Sequence, residues 1–80
     1  MYGAFIVRRF LSMKVCNCLK ECRKERNATL QDVGDATLTD ATTIWRYEND
    51  RRTPTLEMAL RLSAYFGKPV NELFSLEKGL

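Results

Sequence analysis

The 80-residue chain has no histidine and only three cysteines, two prolines and one tryptophan. Without imidazole it lacks the side chain that most often serves as a base near neutral pH, and three cysteines alone do not complete a tetrahedral zinc site. Its four glycines form no phosphate-cradling loop, and no nucleophile stands at a recognisable spacing from a base. An enzyme is therefore not expected, and the residues call for no cofactor and no metal. Runs of about eighteen apolar residues are missing too, so nothing reads as a membrane span. Neither sign of charge dominates: 13 Lys and Arg against 10 Asp and Glu leave +3, which points only weakly to a nucleic-acid partner.

What is present suits a small globular domain. At 45% hydrophobic and 29% charged residues the chain can build a core, although its length is near the lower limit for folding without staples. The opening MYGAFIVRRFLSMKVCNCL has the superficial look of a leader. Its apolar run is brief and broken by Arg8 and Arg9, and it lacks a basic start and a small-residue cleavage site. The chain reads as cytosolic, with residues 1–13 as an N-terminal extension and residues 14–80 as the domain. Three readings of the extension stay open: an appendage upstream of a start at Met13, a β-prone strand at residues 5–10 that serves a dimer or covers the core, or a basic arm that touches DNA.

Residues 29–54, TLQDVGDATLTDATTIWRYENDRRTP, carry the functional signal. Thr29 is placed to cap a helix with Asp32 in its first turn, and Leu30, Val33, Gly34 and Thr37 then share one face. A glycine inside a helix costs roughly 1 kcal/mol against alanine, so the natural use of Gly34 is to admit a neighbouring helix. Asp40 caps that second helix, Ala41–Glu48, with Ile44 and Tyr47 turned inward. Its other face offers Ala41, Thr42, Thr43, Trp45 and Arg46, small and hydroxyl side chains that fit a major groove beside an arginine that can reach a base or a phosphate. Arg51 and Arg52 follow in a polar loop where phosphates would pass. The plain alternative, arginines that merely solubilise a loop, applies to any such cluster seen alone.

A first helix is expected over residues 14–26, with Val15, Cys18, Leu19 and Cys22 in one core stripe and Cys16 facing elsewhere. Free reduced thiols are expected, with a thiol sensor or a bridging Cys16 as the sharper alternative. After Pro54, Thr55 caps a helix holding Leu56, Ala59, Leu60, Leu62, Ser63 and Phe66, and Gly67 ends it. Pro69 opens a last helix with Val70, Leu73, Phe74 and Leu76 facing inward. All these apolar residues read as core, some on the last helix also as interface.

Over residues 22–74 this pattern resembles the Xre/Cro family of helix-turn-helix DNA-binding domains. The resemblance rests on Arg23, on Leu30-Gln31-Asp32-Val33-Gly34, Ile44, Glu48-Asn49 and Pro54, on the helix Leu56–Phe66 with Gly67, and on Asn71-Glu72-Leu73-Phe74. It implies an all-α, five-helix bundle of the lambda repressor-like type. It also implies a structural ion pair between Arg23 and Glu48, tying the first helix to the recognition helix. Two departures stand out. Leu38 occupies the turn where the family usually has glycine, and Leu30 stands where the family often has a phosphate-contacting glutamine.

The expected function is sequence-specific binding of double-stranded DNA by a transcriptional repressor, a homodimer that reads two half-sites. The DNA-facing set comprises Thr29, Gln31, Asp40, Ala41, Thr42, Thr43, Trp45, Arg46, Asn49, Arg51 and Arg52. Thr42 and Arg46 are the foremost candidates for base contact, Ala41 for a thymine methyl, and Asn49, Arg51 and Arg52 for the backbone. The alternatives are an antitoxin whose main partner is a toxin protein, and a restriction-modification controller.

Overall fold

The computed structural model describes residues 14–76, and the extension at residues 1–13 lies outside them. Helices α1 (Leu19–Glu25), α2 (Leu30–Ala36), α3 (Ala41–Glu48), α4 (Leu56–Phe66) and α5 (Val70–Leu73) are flanked by strands β1 (Val15–Asn17) and β2 (Phe74–Leu76). The strands form an antiparallel pair, with Val15 opposite Leu76, Cys16 opposite Ser75 and Asn17 opposite Phe74.

This pair corrects the all-α expectation at both ends of the domain. Residues 15–17 are extended, and the first helix starts at Leu19, not at residue 14. Asn17 explains the delay: its Oδ1 accepts the Leu19 amide at 3.1 Å while its Nδ2 donates to the Tyr47 carbonyl at 3.0 Å. An asparagine engaged on both sides favours a turn over a continuing helix. Val15 is consequently exposed on a strand instead of lying in the core stripe, and Leu76 is exposed as well. Leu56 and Leu60, read as core, also point to solvent from α4, whereas Met58, Ala59, Leu62 and Phe66 are buried.

The core gathers Leu19 and Cys22 from α1, Val33 from α2, Ile44 and Tyr47 from α3, Met58, Leu62 and Phe66 from α4, and Leu73 from α5. Each of the three middle helices begins on the cap its sequence offers. Thr29 and Asp32 form a reciprocal capping box, with Thr29 N–H donating to Asp32 at 2.9 Å and Asp32 N–H to Thr29 Oγ1 at 3.0 Å. Asp40 accepts the Thr43 amide at 2.7 Å, and Thr55 accepts the Met58 amide at 3.2 Å.

The helix ends share one device. After α1, α2 and α3 a residue other than glycine takes the left-handed conformation: Asn27 (φ 54°), Leu38 (φ 63°) and Asp50 (φ 56°). Each sits inside a paired 6→1 and 5→2 hydrogen-bond motif. Ala28 N–H donates to Arg23 and Asn27 N–H to Lys24, Thr39 to Gly34 and Leu38 to Asp35, and Arg51 to Arg46 and Asp50 to Tyr47. Asparagine and aspartate tolerate this conformation, whereas leucine pays about 1–2 kcal/mol for it. Leu38 thus adopts the turn that glycine would make at lower cost, and its side chain is 78% exposed.

Gly34 lies on the other side of that turn, buried where α2 meets the start of α3. A methyl group there would stand 2.9 Å from the backbone carbonyl carbon of Asp40 and 3.1 Å from the Thr39 carbonyl oxygen. Gly34→Ala should therefore destabilise the domain by about 1–3 kcal/mol through overpacking against backbone. Leu38→Gly should raise stability, by up to about 1 kcal/mol, because strain is relieved and no buried contact is lost. Urea melts of the two variants should show shifts of opposite sign.

Candidate nucleic-acid interface

Helix α3 owes its orientation to its inward face and its last residue. Ile44 and Tyr47 are buried in the core, and its last residue, Glu48, is fixed by Arg23 of α1. Arg23 Nε donates to one Glu48 oxygen at 2.7 Å and Arg23 Nη2 to the other at 3.1 Å. Its Nη1 donates to the Ala28 carbonyl at 3.1 Å, so one planar guanidinium joins α1, the α1–α2 turn and the end of α3. The Glu48 side chain is 2% exposed and that of Arg23 14%. Hydrogen bonding to Glu48 holds the guanidinium above its ordinary pKa, outweighing the opposite effect of burial.

The opposite face of α3 is open. Thr42, Trp45 and Arg46 are exposed, Ala41 and Thr43 half-buried, and Asn49, Arg51 and Arg52 continue the exposed surface past the helix end. Asn49 Nδ2 donates to the Trp45 carbonyl at 2.9 Å, turning its amide back onto the helix. The Arg51 amide is tied at 2.8 Å to the carbonyl of Arg46. Arg46 and Arg52 both stand close enough to Asp40 to help lower its pKa, which places the helix start, its middle and the basic loop within one electrostatic neighbourhood.

Four residues of the expected DNA-facing set have side-chain partners inside the protein. The Thr29 hydroxyl and the Asp40 carboxylate are helix caps, Gln31 Nε2 donates to Asp35 at 2.8 Å, and the Asn49 amide is the one bonded to Trp45. Leu30, outside that set, packs against the core. Beside the basic loop lies a cleft of about 600 Å³, lined by Lys14, Asn17, Arg52, Thr53 and Phe74 among others, that the sequence does not signal. No local spacing could have announced it, because β1 and the loop after α3 meet only through tertiary folding.

The family model described as helix-turn-helix, of the Cro/C1 type, matches residues 19–73. The chain belongs to this helix-turn-helix family, which makes it, at the family level, a DNA-binding transcriptional regulator. Comparison with curated proteins gives no match. Among the described residues no helix is long and apolar enough to cross a membrane.

Removing one side of the ion pair strands a charge. Glu48→Ala should cost about 3–5 kcal/mol, and an Arg23→Met/Glu48→Met double variant should recover most of the loss; a denaturant-derived cost below about 1 kcal/mol for Glu48→Ala would show that the pair does not hold α3. Acid should act through the caps as well. Hydrogen bonds from the Thr29 amide and hydroxyl depress Asp32, and those to Thr43 depress Asp40, each below the ordinary 3.8. Because the folded values are the lower ones, this stabilisation is complete above 3.8 and disappears as pH falls through the depressed values. Between about pH 5 and pH 3, an Asp32→Asn/Asp40→Asn variant should lose less melting temperature than the parent.

Proposed function

We propose that the protein binds double-stranded DNA sequence-specifically and represses transcription by occupying its site, with α3 inserted in the major groove. The observation that carries this reading is the division of α3 between a buried face, Ile44 and Tyr47, and an exposed one, Thr42, Trp45 and Arg46. An α-helix with its side chains is about 10–12 Å across, which fits the roughly 12 Å width of that groove.

Arg46 suits a bidentate contact to guanine, Thr42 a base-edge hydrogen bond, Ala41 a thymine methyl, and Thr43 either a base or a phosphate. Asn49, Arg51 and Arg52 grip the phosphate backbone, and Trp45 packs against sugar and phosphate at the groove edge. Thr29 and Gln31 flank the groove from the start of α2. The Asp40 carboxylate only accepts hydrogen bonds, so its partner on DNA is a cytosine amine and not a phosphate. One eight-residue helix covers few base pairs. A homodimer that places two copies of α3 on half-sites one helical turn apart supplies the remaining affinity.

The test is binding to the DNA upstream of the protein's own gene and to a scrambled duplex of equal length, across several salt concentrations. A preference of about a thousandfold or more for the native duplex at physiological salt supports the proposal; equal and steeply salt-sensitive binding to both rejects specific recognition of that DNA. Arg46→Ala should weaken the specific complex by about 1–3 kcal/mol with the melting temperature nearly unchanged. An Arg51→Ala/Arg52→Ala variant should weaken both complexes and flatten the logarithmic salt slope by about 1–2.

A further inference from the structure

The thiols of α1 have no part in the interface. Cys22 is buried in the core, Cys18 half-buried at the helix N-cap, and their sulfur atoms are 3.4 Å apart. Cys18 Sγ also lies 3.4 Å from the Glu72 carbonyl oxygen, to which it donates. On the other side, the Lys68 ammonium stands 3.7 Å from Cys22 Sγ. Cys16 is exposed on β1 and is in neither contact.

Residues four apart around one helical turn bring their Cα atoms to roughly 6 Å, inside the Cα range of a disulfide, while their Cβ atoms, about 5–6 Å apart, must close to about 4 Å by adjustment at the non-helical N-cap Cys18. The sulfur atoms need to approach by only a little over about 1 Å to reach bonding distance. Burial and the neighbouring Cys22 raise the Cys18 pKa, partly offset by Lys68, so Cys18 must give up a proton before it reacts with an oxidant. Among the described residues no three metal-ligating side chains converge, which leaves the pair to thiol chemistry.

We propose that Cys18 and Cys22 are a redox-active dithiol, a modification site that hydrogen peroxide closes to a disulfide within one chain. Cys18, the more accessible sulfur, attacks the peroxide as thiolate; the O–O bond breaks, one oxygen stays as Cys18 sulfenic acid, and the other leaves as hydroxide, which takes up a proton. Cys22, on losing its proton, attacks that sulfur and expels the second hydroxide. In sum, two thiols lose two electrons and two protons, one peroxide is reduced, and two waters form. Closure draws the Cys18 sulfur away from the Glu72 carbonyl, and so loosens a contact between α1 and α5 at one end of the domain.

The experiment exposes the reduced full-length chain and its Cys16→Ser and Cys18→Ser variants to hydrogen peroxide, with intact-mass analysis and tryptic mapping. Both substitutions alter residues outside the buried core, and circular dichroism checks that each variant is folded. The parent and Cys16→Ser should lose about 2 Da as monomers, with a peptide containing Cys18 joined to one containing Cys22, and a dithiol reductant should restore the mass. Cys18→Ser should show no such loss. The proposal is overturned if Cys16→Ser gains oxygen without forming the disulfide, if the parent's bond joins Cys16 to Cys18, or if oxidation yields chiefly dimers bridged through Cys16.

Discussion

The position of α3 depends on the contact between the Arg23 guanidinium and the Glu48 carboxylate. Both charges are largely withdrawn from water, at a desolvation cost that a single Coulombic contact does not repay. Two parallel hydrogen bonds to Glu48 and a third to the Ala28 carbonyl offset that cost. Hydrophobic packing of Ile44 and Tyr47 would tolerate small rotations of α3, because it has no direction. The planar fork of Arg23 does not tolerate them, and it acts on the last residue of the helix, where a rotation about the core would be largest. The pair is accordingly a device for orientation more than for stability.

The turns continue the same logic. Three successive helices end on left-handed residues locked by paired backbone hydrogen bonds, so each following helix leaves at an angle set by local geometry before the core closes. At the α2–α3 turn the two demands are in opposition. Gly34 is present because nothing larger fits beneath the Asp40 backbone, while Leu38 stands where a glycine would be at ease. Thr37 between them is fully buried, and its hydroxyl donates to the Val33 carbonyl at 2.8 Å, so the turn leaves no polar side chain unsatisfied.

Local chemistry proved legible in the sequence where residue type itself dictates a cap, a stop or a close approach. The caps Thr29, Asp40 and Thr55, the stop at Gly67 and the close approach at Gly34 all belong to this group. The start of the first helix is misleading because Val15 stands at helical spacing from Cys18, Leu19 and Cys22, whereas the conformation of residues 15–17 follows from pairing with Phe74, Ser75 and Leu76 far along the chain. Leu56 and Leu60 mislead for a related reason: an apolar side chain carries no mark of the face it will occupy. In the candidate site, the exposed stripe of α3 follows from periodicity. The internal engagement of Gln31, by contrast, depends on a choice of rotamer that composition does not reveal.

The hydrogen bond from the Arg51 amide to the Arg46 carbonyl has a further consequence. It ties the backbone of α3 at Arg46 to that of the basic loop, so that on the proposed reading the groove-facing helix and the phosphate-facing loop move together. For a duplex partner, the offset between base and backbone is then dictated by the protein, and DNA must supply a matching groove width and helical twist. Sequences that contact no side chain would still be discriminated, through the energy required to bring their twist into phase with this fixed spacing.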